Sequence, residues 1–155
     1  MRVPAIVVGV AMLVAACGGE KKAGTPADNT TPAPAAPTAA AATGATHEIQ
    51  MVQQGATSFK FVPDNITIKT GDAVVFKSVS GTGHDVAFYA DSIPPGAADV
   101  LNANIADKPA DLATPLINEG QSLTVSFVGA PVGTYKFYCI PHGAMGMKGT
   151  ITVTQ

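Results

Sequence analysis

The sequence contains no tryptophan, only two cysteines and only three histidines. Charge is scarce as well: 13% of residues are Asp, Glu, Lys or Arg, and the formal net charge is −2. No basic stripe is present, so no nucleic acid is expected as a partner. No cluster of carboxylates is present, which excludes an oxygen-lined magnesium or calcium site. The length of 155 residues permits one domain, less whatever is removed or unstructured. Val, Ile, Thr, Phe and Gly are frequent in the second half, a composition that favours strands over helices.

The start of the chain reads as a targeting segment. Arg2 is followed by an apolar run from Val3 to Ala16 that is too short to span a bilayer comfortably. Val14-Ala15-Ala16-Cys17 resembles the lipobox of bacterial lipoproteins. That resemblance implies cleavage after 1–16 and acylation of Cys17; ordinary cleavage a few residues later is the alternative. Acyl chains on Cys17 would hold the protein to a bilayer, at about 0.8 kcal/mol per buried CH₂. The expected location is the bacterial cell envelope, facing the periplasm or exterior. Cys139 would then have no disulfide partner. A free thiol in an oxidising compartment needs an occupant, and a metal can be one.

Residues 17–46 are rich in Ala, Pro and Thr, and Pro26, Pro32, Pro34 and Pro37 rule out a long helix. This stretch is expected to be a disordered tether with a reach of about 30 Å. The folded domain is expected over 47–155. Alternation predicts strands near 48–53, at Ile66 and Ile68, over 73–80, over 84–90, at Leu123, Val125 and Phe127, at Tyr135, Phe137 and Cys139, and at Ile151 and Val153. Short strands between Gly and Pro turns predict an all-β sandwich. Residues 91–120 interrupt the pattern with four prolines. A short helix near 98–104 and an irregular edge strand near 114–118 are expected there. His47, at the junction of tether and domain, is expected to be solvated.

The chemistry concentrates in CIPHGAMGM, residues 139–147. Cys139 ends a strand on its core-facing side. Pro141 forces a turn, so His142 can fold back toward the sulfur. Met145 and Met147 follow, and His84 heads another strand after Gly-Thr-Gly. Two imidazoles, one thiolate and one thioether can meet at one end of a sandwich. A trigonal His₂Cys set with a weak Met suits copper. Zinc competes for Cys and His, although it rarely takes Met.

These segments resemble the cupredoxin family, its plastocyanin members most. The resemblance rests on FVPDNITIKTGDAVVFK (61–77), HDVAFYADSIPPG (84–96) and GTYKFYCIPHGAMGMKGTITV (133–153). HGAMGM is also similar to the ligand loop of pseudoazurin. The resemblance implies an eight-stranded Greek-key sandwich and one type 1 copper per chain. It carries the ligands onto His84, Cys139, His142 and Met147, and it leaves Met145 off the metal. It also implies electron exchange through His142 beneath a patch formed by Gly143, Ala144 and Met145, with Tyr138 as a second surface route. Asp85 stands where plastocyanin has Asn, in a position that braces the ligand loop. The acidic patch of plastocyanin is mostly missing. From His47 onward nine acids face six lysines, net −3.

The expected function is a membrane-tethered, monomeric electron carrier that docks transiently with membrane or periplasmic redox proteins. A copper chaperone or store is the alternative. Catalysis is not expected, because one domain with one leftover histidine lacks the further copper sites of the copper enzymes. A two-copper centre would need a second nearby cysteine.

Overall fold

A computed structural model describes residues 40–155. The expected signal segment, the acylated Cys17 and most of the expected tether lie outside the described residues. Eight strands run in chain order: β1 (Thr46–Gln53), β2 (Phe59–Val62), β3 (Asn65–Lys69), β4 (Ala73–Ser78), β5 (Ala87–Phe88), β6 (Ser122–Ser126), β7 (Gly133–Tyr138) and β8 (Lys148–Thr154). One helix, α1 (Ala97–Asn104), lies between β5 and β6. Among the described residues no helix is long and apolar enough to cross a membrane.

The strands form two four-stranded sheets, ordered β2-β1-β4-β6 and β3-β8-β7-β5. Both sheets are mixed. β1 pairs parallel with β4 and antiparallel with β2. β3 pairs parallel with β8, and β8 antiparallel with β7. The period of two along each strand sends alternate side chains into the space between the sheets. Ile49, Met51, Phe61, Val74, Phe76, Val125, Tyr135, Phe137, Ile151 and Val153 fill it and are nearly inaccessible. Phe61, Phe76 and Phe137 meet edge-on, with ring centroids 4.8–6.1 Å apart. Edge-on packing suits the quadrupoles of the rings and locks one sheet against the other. The all-β sandwich is therefore as the alternation predicted.

The irregular stretch also follows expectation in outline. The helix occupies 97–104 and buries Ala97 and Leu101. Asn104 donates to the carbonyls of Ser126 and Val128, at 3.0 Å each, which pins the helix to the end of β6. The expected edge strand survives as isolated bridges, His84 with Ile117 and Ala87 with Ala113. The strand expected over 84–90 shrinks to Ala87–Phe88 because its neighbour on that side is this broken edge.

Two expectations need correction. His47 is not simply solvated: its Nε2 lies 2.8 Å from Asp72 Oδ2, and its side chain is one-third exposed. Pairing also begins before residue 47. The backbone N–H groups of Thr43 and Gly44 donate to Gly71 O at 3.0 and 2.9 Å, and Ala45 donates to Asp72 Oδ1 at 2.7 Å. The turn between β3 and β4 supplies those acceptors, and a local reading of the Ala- and Thr-rich stretch contains no sign of it.

Candidate metal centre

The site forms at the end of the sandwich where β4 and β7 finish. β7 carries Phe137 inward and Tyr138 outward, so Cys139, one residue past the strand, turns inward again and is fully buried. Cys139 N–H donates to Met147 O at 3.1 Å, and His142 N–H donates to Cys139 O at 3.2 Å. Met147 N–H donates to His142 O at 3.2 Å. These bonds close 139–147 into a tight loop around a short 3₁₀ turn, Gly143–Met145. Pro141 fits because this fold requires no donor there.

His84 arrives from the other side of the core. Its backbone exchanges two hydrogen bonds with Ile117, at 3.0 and 2.8 Å. Its ring Nε2 lies 3.0 Å from Ser80 O. A carbonyl can only accept, so Nε2 is the donor in this contact and Nδ1 is left to face the cluster. That Nδ1 faces Cys139 Sγ at 4.0 Å, and His142 Nδ1 faces it at 3.3 Å. One donor atom from each of the three residues lies within 4.8 Å of the others, and all three side chains are buried.

The environment fits a soft cation. Burial, the largest influence, pushes the free Cys139 thiol up to about 12, so without a metal it is neutral at pH 7. Burial first, and the neighbouring His84 second, hold the His142 imidazole below its ordinary value. His142 is therefore a neutral ring with a free lone pair. Metal binding at such a site displaces the thiol proton. Met147 is fully buried on the same loop, whereas Met145 is 43% exposed. A pocket of one cysteine sulfur, two imidazoles and a buried thioether, without a carboxylate among its donors, matches copper better than zinc.

Asp85 braces the loop as the resemblance implied. Its Oδ1 accepts from Ile140 N–H at 2.7 Å. Burial, the dominant influence, raises its pKa above the ordinary value, while the Ile140 bond opposes the rise.

Sequence reading missed Phe59. β2 places this residue, 8% exposed, directly against the His142 ring, with centroids 3.8 Å apart and planes 6° from parallel. Phe59 also meets the His84 ring edge-on at 6.0 Å. Exposed apolar side chains near the ligands are not confined to Met145. Ile140 (53%) and Leu116 (61%) join Met145 as exposed apolar side chains at this end. Tyr138 is half-buried and stacks on Tyr89, with centroids 4.4 Å apart. Gly143, expected in the surface patch, is itself buried, and a Cβ there would press on the Tyr138 ring at 3.0 Å.

A two-sheet sandwich with a buried Cys-His₂ cluster and a methionine at one end defines a cupredoxin with a type 1 copper-like site at His84, Cys139, His142 and Met147. Residues 47–154 match the family of copper binding proteins, plastocyanin/azurin family, and the chain belongs to it. It is 41% identical to plastocyanin of Dryopteris crassirhizoma over 96 residues, 62% of this chain and 89% of that protein. It is 38% identical to plastocyanin of Sambucus nigra over the same shares. Among solved structures, pseudoazurin of Methylobacterium extorquens AM1 superposes with a TM-score of 0.51 at 26% identity, over 71% of this chain and 76% of that one. Pseudoazurin from Sinorhizobium meliltoi shares the fold, with a TM-score of 0.52, 24% identity, and coverage of 72% and 76%. The family, the sandwich and copper as cofactor are thus as the sequence implied. A blue-copper electron-transfer protein is the functional class that the family supports.

Proposed function

We propose that this protein is an exported, lipid-anchored blue-copper carrier that passes single electrons between redox proteins of the bacterial cell envelope. The observation that carries the reading is the convergence of His84, Cys139 and His142, all buried, with one donor atom of each within 4.8 Å of the others at one end of the sandwich. Met147 is assigned as the weak fourth donor and Met145 as a contact for partners. When bound, copper supplies the one-electron couple between Cu(I) and Cu(II); the protein supplies position and surroundings.

Each residue then has a definable task. The sandwich fixes His84 through its bridge to Ile117 and Cys139 at the end of β7, so neither has to move to accept a change of charge. Ser80 O holds the His84 tautomer, and Phe59 holds the His142 plane. The aromatic and aliphatic wall excludes water. His142, 9% exposed, is the donor nearest to solvent, and the exposed Ala144 and Met145 follow it on the loop. A partner resting on that apolar surface comes close to the buried cluster without opening it. A small contact of this kind suits weak, fast docking. Acylated Cys17 and the segment following it would hold the monomeric domain near membrane partners and raise its effective concentration there.

The burial of Cys139 and His84, both at 0% exposure, speaks against a chaperone or store, which must surrender its metal to a partner. The test is the visible spectrum of the full chain loaded with Cu(II). The expected result is an intense blue thiolate-to-copper band, bleached by ascorbate and restored by a mild oxidant. A colourless protein holding one zinc per chain would refute the carrier. Rapid loss of Cu(I) to a chelator would favour the store. Intact-mass analysis of the exported protein tests the anchor, which requires acyl groups on Cys17.

A further inference from the structure

The outer face of the β3-β8-β7-β5 sheet differs in charge from the rest of the domain. On β7, Lys136 and Tyr138 point outward while Tyr135 and Phe137 point in. The register sets Tyr138 opposite Lys148 and Lys136 opposite Thr150 on β8. A cleft of about 230 Å³ lies here, with Tyr89, Lys136 and Lys148 in its wall. A second, of about 190 Å³, continues past Lys60 and Lys148 to Gly146 on the ligand loop. Asp64 borders both clefts. The floor is closed by Gly149, where a Cβ would lie 2.7 Å from Asp64 O and would strike the Phe137 ring.

Three of the domain's six lysines, Lys60, Lys136 and Lys148, therefore gather along one groove, against Asp64 and, beside Tyr89, Asp91. The rest of the domain has three lysines and seven acids. None of the three groove lysines is spent internally. Among the described residues the only lysine–carboxylate pair is Lys108–Asp111, at 3.1 Å. Exposed ammonium groups with no internal partner are free to meet an external anion, and they steer one over roughly 8 Å at physiological ionic strength. The groove also has a conducting neighbour. Tyr138 is bonded to Cys139 through the chain, lies against Gly143 of the ligand loop and stacks on Tyr89.

We propose that the Tyr89–Tyr138 face, flanked by Lys60, Lys136 and Lys148, docks an acidic patch of a one-electron redox protein. The inference rests on the carrier function above and names the charge of its partner. The clefts are small and lie open on the surface of the domain, so they suit glutamate and aspartate side chains of a protein surface rather than an enclosed cofactor. The partner's acids pair with the lysines, and its redox centre comes to rest over the tyrosine pair. One electron passes between the two proteins, with no proton or group transferred.

The test uses the copper-loaded full chain and two inorganic anions. Hexacyanoferrate(III) takes one electron from the reduced protein and becomes hexacyanoferrate(II). At low ionic strength the double variant Lys136→Glu/Lys148→Glu should slow this oxidation about five-fold or more. Lys69→Glu/Lys77→Glu, which changes net charge equally at exposed positions outside the groove, should slow it less than about two-fold. Equal slowing in both variants would reduce the effect to net charge and overturn the proposal. The paramagnetic, redox-inert hexacyanochromate(III) should broaden the amide signals of Lys136, Tyr138 and Lys148 in the Cu(I) protein. Broadening confined to 140–146 would place the anion elsewhere and also overturn it. The second measurement needs no electron transfer, so its failure is separable from failure of the carrier function.

Discussion

Phe59 lies flat on His142, with ring centroids 3.8 Å apart and planes 6° from parallel. The contact joins β2 to the ligand loop and restrains the donor nearest to solvent. Phe59→Leu keeps most of the volume and removes the stack. Its stability cost should stay below about 1.5 kcal/mol. Its reduction potential and the spectral signature of His142 should nevertheless change. Phe59→Ala should cost about 3 kcal/mol or more, as for other buried phenylalanines. Urea unfolding and voltammetry on both variants separate packing from tuning. Unchanged electrochemistry in Phe59→Leu would reduce the stack to packing alone.

Asp85 should act as a strut. Asp85→Ala removes the acceptor for Ile140 N–H and leaves that donor partly buried, at a cost of about 1–3 kcal/mol. Asp85→Asn keeps an acceptor oxygen at the same place and should retain most of the stability. It also removes a negative charge beside the site. Negative charge favours the more positive oxidation state, so the reduction potential of Asp85→Asn should rise. Calorimetry and voltammetry read the two effects independently. A fall in potential would contradict the electrostatic argument.

The two loop methionines should separate cleanly. Met147 is buried and hydrogen-bonded through its backbone to His142, while Met145 is exposed at the surface. Met147→Leu should alter the Cu(II) spectrum and raise the potential, because a weak sulfur donor is lost. Met145→Leu should leave the spectrum almost unchanged and slow exchange with protein partners. Swapped outcomes would show that the loop register is misassigned.

Acid should loosen the end of the domain remote from the ligands. The backbone N–H of Lys69, first, and His47, second, hold the Asp72 carboxyl below its ordinary value of 3.8. A carboxyl with a depressed folded pKa stabilises the fold above its unfolded value, and that contribution disappears as pH falls through the folded value. Melting temperature should therefore drop below about pH 4. Asp72→Asn should be less stable at neutral pH and show a flatter acid limb. Amide exchange at 43–47 should rise with the loss, since Ala45 is bonded to the same carboxylate. An acid limb of equal slope in Asp72→Asn would count against this account.

Much of the fold was readable because its signals are local. Ile66 and Ile68, Tyr135 and Phe137, and Ile151 and Val153 alternate along single strands, and a period of two needs no knowledge of neighbours. Pro94, Pro95, Pro109 and Pro115 marked the irregular stretch in the same way. The Cys139–Met147 loop was readable because its donors are close in sequence. β2 escaped as a separate element. Its four residues are too few to show a period, and Pro63 and Asp64 blend it into the following strand. Phe59 therefore had no visible link to His142, although 83 positions separate two rings that touch. His47 was misread for the same reason: its partner Asp72 is supplied by another turn.

The sequence by itself determined the class of site, because thiolate, imidazole and thioether in one Gly- and Pro-punctuated loop are a chemical preference written in residue types. It also determined the sandwich, because alternation fixes which side chains must be buried. Only the tertiary structure decided how His84 reaches Cys139, which ring restrains His142, and that Lys60, Lys136 and Lys148 share a groove beside Tyr138. Those relations arise across strands, where register and sheet order bring distant residues together, and neither quantity can be read along a single segment.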